Sequence, residues 1–79
     1  NMGGFKKGIW IARDEDGRLY MYSSKPKKCK DPWANLGEFR CGASTDLIAL
    51  PSNWYKNLNF KNSPVFVPIP EQLVEQQIK

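Results

Sequence analysis

The chain has 79 residues, a formal net charge of +4 and no histidine. Hydrophobic residues make up 41% of it, enough for one small globular domain and too many for a disordered chain. No apolar run approaches membrane-spanning length, and the lack of histidine excludes a Cys/His zinc site.

Residues 1–7 predict a flexible leader at the start of a single domain, 1–79. Two glycines and two lysines lie in this leader, with no apolar signal region behind the lysines. Asn1 in front of Met2 is interpreted as a tag scar, with Met2 as the natural start. The predicted location is the cytoplasm.

A β-hairpin is predicted over residues 8–22, where two alternating runs flank Asp14-Glu15-Asp16-Gly17. Aspartate suits the first position of a type I turn, and glycine suits a last position with positive φ. The result is a three-residue loop closed by a bulge at Gly17. The predicted pairs are Arg13–Leu19, Ala12–Tyr20, Ile11–Met21 and Trp10–Tyr22. A two-residue turn at Asp16-Gly17 is the alternative, and it shifts the register by one residue.

The bulged turn is preferred because it separates the side chains by type. The aliphatic face then holds Ile9, Ile11, Leu19 and Met21. The aromatic face holds Trp10, Ala12, Tyr20 and Tyr22.

Residues 23–32 are polar, basic and interrupted by proline, which predicts an exposed loop. Its lysines are Lys25, Lys27, Lys28 and Lys30. The first 30 residues hold eight basic and three acidic side chains. This asymmetry indicates either an anionic partner or a solvated loop.

Cys29 and Cys41 are expected to stay reduced, since two cysteines make no disulfide framework and no export signal is present. Cys41 is predicted to be a small buried hydrophobe in a strand. The lysines around Cys29 favour a thiolate, which supports the hypothesis of a reactive thiol. Two thiolates alone make no tetrahedral metal site, so neither a metal nor another cofactor is predicted.

Three more strands are predicted, over residues 38–41, 46–50 and 65–69. Phe39 and Cys41 are expected to point inward, and a short helix over residues 44–50 is the alternative to the middle strand. Pro68 cannot donate to a ladder, so the last strand is placed at an edge or with that position outward. Residues 51–60 are predicted to be irregular, with one helical turn placing Trp54 and Leu58 on one side.

Pro70 begins a predicted C-terminal helix over residues 71–79. The predicted fold class is therefore mainly β (α+β): a small antiparallel sheet of four or five strands with a short C-terminal helix as cover. The alternative is a sheet that curls into a partial barrel.

Enzyme chemistry is not predicted. No histidine can act as a general base, and the paired acids Asp14 and Asp16 are explained by turn chemistry. No serine or cysteine has an evident activating partner. The prediction is a non-enzymatic protein.

Protein–protein binding is the favoured function, with an unknown protein as partner and a homodimer through the residue 65–69 edge or the C-terminal helix as a further expectation. The alternative is weak single-stranded nucleic-acid binding by lysines that rim stacking aromatics. The candidate binding residues are Trp10, Tyr20, Tyr22, Lys25, Lys27, Lys28, Lys30 and Trp33. The aromatic face could instead be covered, by the terminal helix through Leu73 and Ile78 or by the loop that carries Trp33 or Trp54. No membrane partner is predicted.

The run from Gly8 to Tyr22, followed by Lys25-Pro26, Trp33, Leu50-Pro51 and the segment 62–65, resembles a recurrent pattern. It is similar to small uncharacterised bacterial, prophage and phage proteins with a WIARD-type N-terminal β-hairpin. The resemblance covers roughly residues 8–69 and leaves out the C-terminal segment. It implies no activity, and it favours an accessory protein of a bacterium or mobile element.

Overall fold

The computed structural model describes residues 8–43 and 46–69. Its elements are β1 (Gly8–Arg13), β2 (Leu19–Tyr22), β3 (Cys29–Asp31), β4 (Leu36–Glu38), a 3-10 turn (Arg40–Gly42), β5 (Leu47–Leu50) and β6 (Val65–Pro68). A four-stranded antiparallel sheet has the order β5-β2-β1-β6, and β3 pairs with β4 in a separate hairpin. The mainly β prediction is confirmed, and this sheet is open at two edges rather than closed into a barrel. The predicted leader 1–7 and helix 71–79 lie outside the described residues.

The first hairpin has the predicted register, with Trp10 opposite Tyr22 and Arg13 opposite Leu19. Gly17 has φ 96°, and its N–H donates to the Asp14 carbonyl at 2.9 Å. The Asp14 N–H donates to the Arg18 carbonyl at 2.8 Å. The bulged turn is therefore confirmed, and the two-residue turn is wrong.

Two apolar clusters lie on opposite sides of the four-stranded sheet, as the alternation of β1 and β2 predicts. On the aliphatic face, Ile11, Leu19 and Leu58 are buried together, with Ile9, Met21, Leu50 and Val67 around them. On the aromatic face, Ala12, Tyr22 and Phe39 are buried, with Trp10, Tyr20, Ala43 and Phe60 around them. The predicted separation of the two faces is confirmed.

The predicted strand over residues 38–41 is wrong, because β4 ends at Glu38 and a 3-10 turn follows. Phe39 donates its backbone N–H to the Asp14 carboxylate, which takes that donor out of any ladder. Phe39 is buried as predicted, whereas Cys41 is exposed. The predicted loop 23–32 is also wrong in part, since Cys29–Asp31 pairs with β4.

The strand prediction for residues 46–50 is confirmed by β5, which pairs with β2, and the helical alternative is wrong. The last strand lies at an edge as predicted, beside β1. Residues 51–60 form successive turns, as irregular as predicted. Trp54 is exposed and Leu58 is buried.

Cys29 and Cys41 form a disulfide with their Cα atoms 6.0 Å apart. The expectation of two reduced thiols is wrong, because the β3–β4 hairpin and the 3-10 turn fold the two cysteines together. The reactive-thiol hypothesis for Cys29 therefore has no free thiol to rest on. Disulfides persist mainly in oxidising compartments, so this one does not support the predicted cytoplasmic location. That location stays a prediction.

Within the part of the chain that the structure describes, no helix is both long and apolar enough to cross a bilayer.

Candidate functional site

The aromatic face is covered rather than open. Tyr22 is fully buried against Ala12 and Phe39, and Phe60 packs on the same cluster. The cover thus comes from Phe39 and Phe60, not from Trp33 or Trp54, both of which are exposed. A fully buried ring offers no face to a stacking base, so Tyr22 serves the core.

The two other predicted aromatics, Trp10 and Tyr20, are half-buried and in contact with cations. The Lys25 ammonium lies 5.4 Å from the Trp10 ring centre, and the Arg40 guanidinium lies 5.2 Å from that of Tyr20. The Trp10 ring also meets Phe66, at 5.2 Å between ring centres. These rings are therefore partnered within the protein, by cation–π and aromatic contacts.

The four predicted lysines are all exposed. One of them, Lys28, lies over the Phe60 ring at 4.9 Å and donates to the Lys61 carbonyl at 3.4 Å. A lysine that lies along an aromatic ring covers apolar surface with its stem while its charge stays in water. Lys28 thus helps to cover the aromatic cluster.

Trp33 stands apart from the other predicted site residues, with 95% of its surface exposed. It lies in the turn between β3 and β4, and we call Cys29–Glu38 the Trp33 hairpin. The turn is ordered by Asp31, whose Oδ1 accepts from the N–H groups of Trp33 at 2.9 Å and Ala34 at 3.3 Å. The Asn35 N–H donates to the Asp31 carbonyl at 2.8 Å, with Asn35 at φ 53°. The tip therefore holds Trp33 outward on a defined backbone.

The body of the Trp33 hairpin is fastened to the first hairpin turn. Glu15 donates its N–H to the Gly37 carbonyl at 3.0 Å, and the Gly37 N–H donates to Glu15 Oε1 at 2.9 Å. The disulfide between Cys29 and Cys41 links β3 to the 3-10 turn. The hairpin is thus held at its middle and at its base.

A buried ionic cluster lies behind this attachment. Asp14 is fully buried and accepts from the Phe39 N–H at 2.8 Å and from Arg40 Nε at 2.9 Å. The other end of the Arg40 guanidinium pairs with Glu38 Oε2 at 2.8 Å. Burial raises the pKa of Asp14 above its ordinary value, although the bonds from Phe39 and Arg40 act in the opposite direction. Burial likewise raises the pKa of Tyr22, whose buried hydroxyl has no hydrogen-bond partner among the described residues.

A second region, not found from the sequence, is organised by Arg13. Its guanidinium donates to carbonyls at 2.5 to 3.1 Å, namely those of Gly17, Ser52, Trp54, Tyr55 and Leu58. Residues 52–58 are thereby held together, and residues 55–58 form one wall of a groove of about 340 Å³. The groove is lined by Ile11, Tyr55, Lys56, Asn57, Leu58, Val65 and Val67. The residues around Trp54 and Tyr55 were predicted only as irregular, and no pattern pointed to this groove.

One group of potential metal ligands is present among the described residues: Cys29, Glu38 and Cys41. The two sulfurs are bonded to each other, so they are not available as thiolates while the disulfide stands.

No family model matches the chain, and no match was found among the curated proteins or the solved structures.

Proposed function

We propose that this protein is a non-enzymatic binding module that docks against another protein through the Trp33 hairpin. The observation that carries the proposal is the 95% exposure of Trp33 at an ordered tip. Burying a large aromatic side chain contributes about 2–3 kcal/mol, and tryptophan is enriched among the residues that dominate interfaces. The indole gains this stabilisation only in a partner's pocket.

The order of the tip supports the same proposal. A side chain presented on a fixed backbone loses less conformational entropy on binding than one on a mobile loop. Asp31 fixes the turn, and Glu15 and the disulfide hold the hairpin below it. The resemblance of the first hairpin to bacterial and prophage proteins favours an accessory role in such a system.

The test compares Trp33→Ala with Trp54→Ala, a matched control, because Trp54 is 51% exposed but lies outside the hairpin. The whole protein is immobilised, offered nuclease-treated lysate of its host, and the captured proteins are quantified by mass spectrometry. A genuine partner is retained by the wild type and by Trp54→Ala and is lost with Trp33→Ala. With that partner purified, calorimetry should show an affinity loss of about 30-fold or more for Trp33→Ala. An identical set of proteins on all three baits would reject the proposal.

Weak single-stranded nucleic-acid binding is the second candidate, favoured by the exposed Lys27, Lys28 and Lys30 next to Trp33 in the chain. Stacking on Trp33 with phosphates on these lysines would bind without sequence preference. Fluorescence anisotropy with a labelled oligothymidylate tests it, since affinity should fall steeply from low to physiological salt. No measurable binding at low salt would remove this candidate.

A further inference from the structure

The strand β5 is an open, uncharged sheet edge. Its neighbour is β2, and among residues 8–43 and 46–69 no strand lies on the other side of β5. The strand reads Leu47-Ile48-Ala49-Leu50, and the first three residues are exposed. The opposite edge, β6, contains Pro68 and follows Pro64, which block strand addition there. In the part of the chain that the structure describes, the four-stranded sheet thus has one protected edge, β6, and one unprotected edge, β5.

The hydrogen-bond pattern shows which backbone groups of β5 point away from the sheet. Ser23 donates its N–H to the Asp46 carbonyl at 3.4 Å, beside the pair Tyr22–Leu47. Hydrogen-bonded and non-hydrogen-bonded pairs alternate in an antiparallel ladder. Ile48 and Leu50 therefore direct their N–H and carbonyl groups toward β2, whereas those of Leu47 and Ala49 point outward.

We infer that β5 pairs antiparallel with β5 of a second copy of this chain, about a two-fold axis at Ile48. In this register Leu47 of each copy exchanges hydrogen bonds with Ala49 of the other, so all outward groups of the strand find partners. A shift that pairs Ala49 with itself sets Leu47 opposite Pro51, which has no N–H to donate. The Ile48-centred register therefore satisfies more of the outward backbone groups than the Ala49-centred one.

The side chains agree with this register. Ile48 lies opposite Met21 on the aliphatic face and is 52% exposed. Directly opposed residues of an antiparallel pair point to the same face, so the two Ile48 side chains contact each other at the axis. The aliphatic faces of the two sheets become continuous, and apolar area of the exposed Ile48 side chains leaves water on pairing.

The symmetry also has a consequence for the Trp33 hairpin. A two-fold axis perpendicular to the sheet leaves each face on its own side, so both copies carry their aromatic clusters on the same side of the joined sheet. Phe39, the residue after the hairpin, belongs to that cluster. The dimer would therefore display two Trp33 hairpins from one side, which favours a partner with repeated sites. The dimer itself does not depend on Trp33.

Cysteine cross-linking tests the register. Residues opposed as a non-hydrogen-bonded pair have Cα atoms about 4.5 Å apart, within disulfide range. Ile48→Cys should therefore give a covalent dimer under mild oxidation, identified as a link between the two position-48 peptides by mass spectrometry. Ala49→Cys is the control, since its two Cα atoms would lie about 8 Å apart, too far for a disulfide. Equal cross-linking of both variants, or of neither, would overturn the proposed register.

Two variants of the non-covalent protein complete the test by sedimentation from micromolar to millimolar concentration. Ala49→Pro removes a donor that points outward and none that bonds β2, so the fold survives and the dimer is lost. Ile48→Lys places two like charges at the axis and should also be monomeric. Circular dichroism checks that each variant is folded. The wild type should show a concentration-dependent increase in mass, and a wild type that stays monomeric throughout would refute the inference.

Discussion

Asp14 and Arg40 are joined by a 2.9 Å contact between Oδ2 and Nε, although one lies in the first hairpin turn and the other in the 3-10 turn. The Asp14 side chain is fully buried, and its second oxygen accepts the Phe39 N–H. One carboxylate thus binds a guanidinium and a backbone donor of adjacent residues. This contact brings the end of the Trp33 hairpin back onto the four-stranded sheet.

We predict that Asp14→Ala destabilises the protein by about 3 kcal/mol at neutral pH, because it leaves the Arg40 Nε–H and the buried Phe39 N–H without their acceptor. Urea denaturation followed by circular dichroism measures the change. Asp16→Ala is the control, since Asp16 pairs with the exposed Arg18 and should lose no more than about 1 kcal/mol. Equal losses of stability in the two variants would show that Asp14 stabilises the protein only through its place in the turn.

Arg40→Ala should have a pH-dependent effect. Burial already raises the pKa of Asp14 above 3.8, and this variant removes a group that lowers it. Asp14 of the folded variant then binds a proton more tightly than Asp14 of the unfolded chain. The stability that this proton contributes is lost as the pH rises from 3.8 through the raised pKa. The difference in unfolding free energy between wild type and Arg40→Ala should therefore be smaller at pH 4 than at pH 7. A difference independent of pH would contradict this assignment of the charge.

Arg13→Lys should destabilise the protein by about 2 kcal/mol, because an ammonium cannot reproduce the planar fork that reaches several carbonyls. Residues 52–58 would lose their common anchor, and the emission of Trp54 should shift. Denaturation measures the first effect, and fluorescence in a Trp33→Phe background, where Trp10 and Trp54 are the two remaining tryptophans, measures the second. Arg18→Lys is the matched control, since Arg18 is exposed and should change little. An unchanged free energy of unfolding for Arg13→Lys would show that the carbonyl contacts are dispensable.

The parts of the fold that the sequence predicted are those decided by local chemistry. The Asp14–Gly17 turn and the alternation of β1 and β2 determine register and faces from neighbouring residues. The parts that were missed depend on distant contacts. Phe39 was expected in a strand. The hydrogen bond from its N–H to Asp14, 25 residues earlier, cannot be predicted from the residues next to Phe39.

In the candidate site, too, some features could be predicted from the sequence and others depend on distant contacts. Trp33 was among the candidate binding residues predicted from the sequence, and the structure shows that Asp31 orders the turn that carries it. The aromatic face was ambiguous because its cover, Phe39 and Phe60, comes from two separate segments. Arg13 bonds to backbone carbonyls, which every residue type carries, so no side-chain pattern could have indicated these contacts.

Removing the disulfide should lower the unfolding free energy by about 2–3 kcal/mol, the amount expected for closing a short loop in the unfolded chain. The Cys29→Ser, Cys41→Ser double variant and the reduced wild type should agree in denaturant midpoint. The covalent state is checked by alkylation and mass spectrometry. The oxidised protein should take up no label under native conditions, and labelling of both cysteines there would contradict the disulfide.

Tyr22→Phe should leave stability at pH 7 unchanged or slightly higher, because the hydroxyl that it removes is buried and bonds to no group in the part of the chain that the structure describes. The unfolding free energies of the wild type and of Tyr22→Phe should differ at alkaline pH. Burial raises the pKa of Tyr22 above 10.0, so the unfolded chain loses this proton before the folded chain does. The stability that the protonated Tyr22 contributes is therefore present below pH 10 and is lost as the pH rises above it. One group of this kind lowers the unfolding free energy by up to about 1.4 kcal/mol per pH unit.

Unfolding of wild type and Tyr22→Phe between pH 8 and 11 measures this prediction. The difference between the two proteins isolates the phenol, because lysines and the remaining tyrosines are common to both. Tyr22→Phe should lose stability more slowly than the wild type as the pH rises above 10. Parallel curves would mean that the Tyr22 hydroxyl ionises in the folded protein and therefore reaches water, which is incompatible with a closed aromatic cluster.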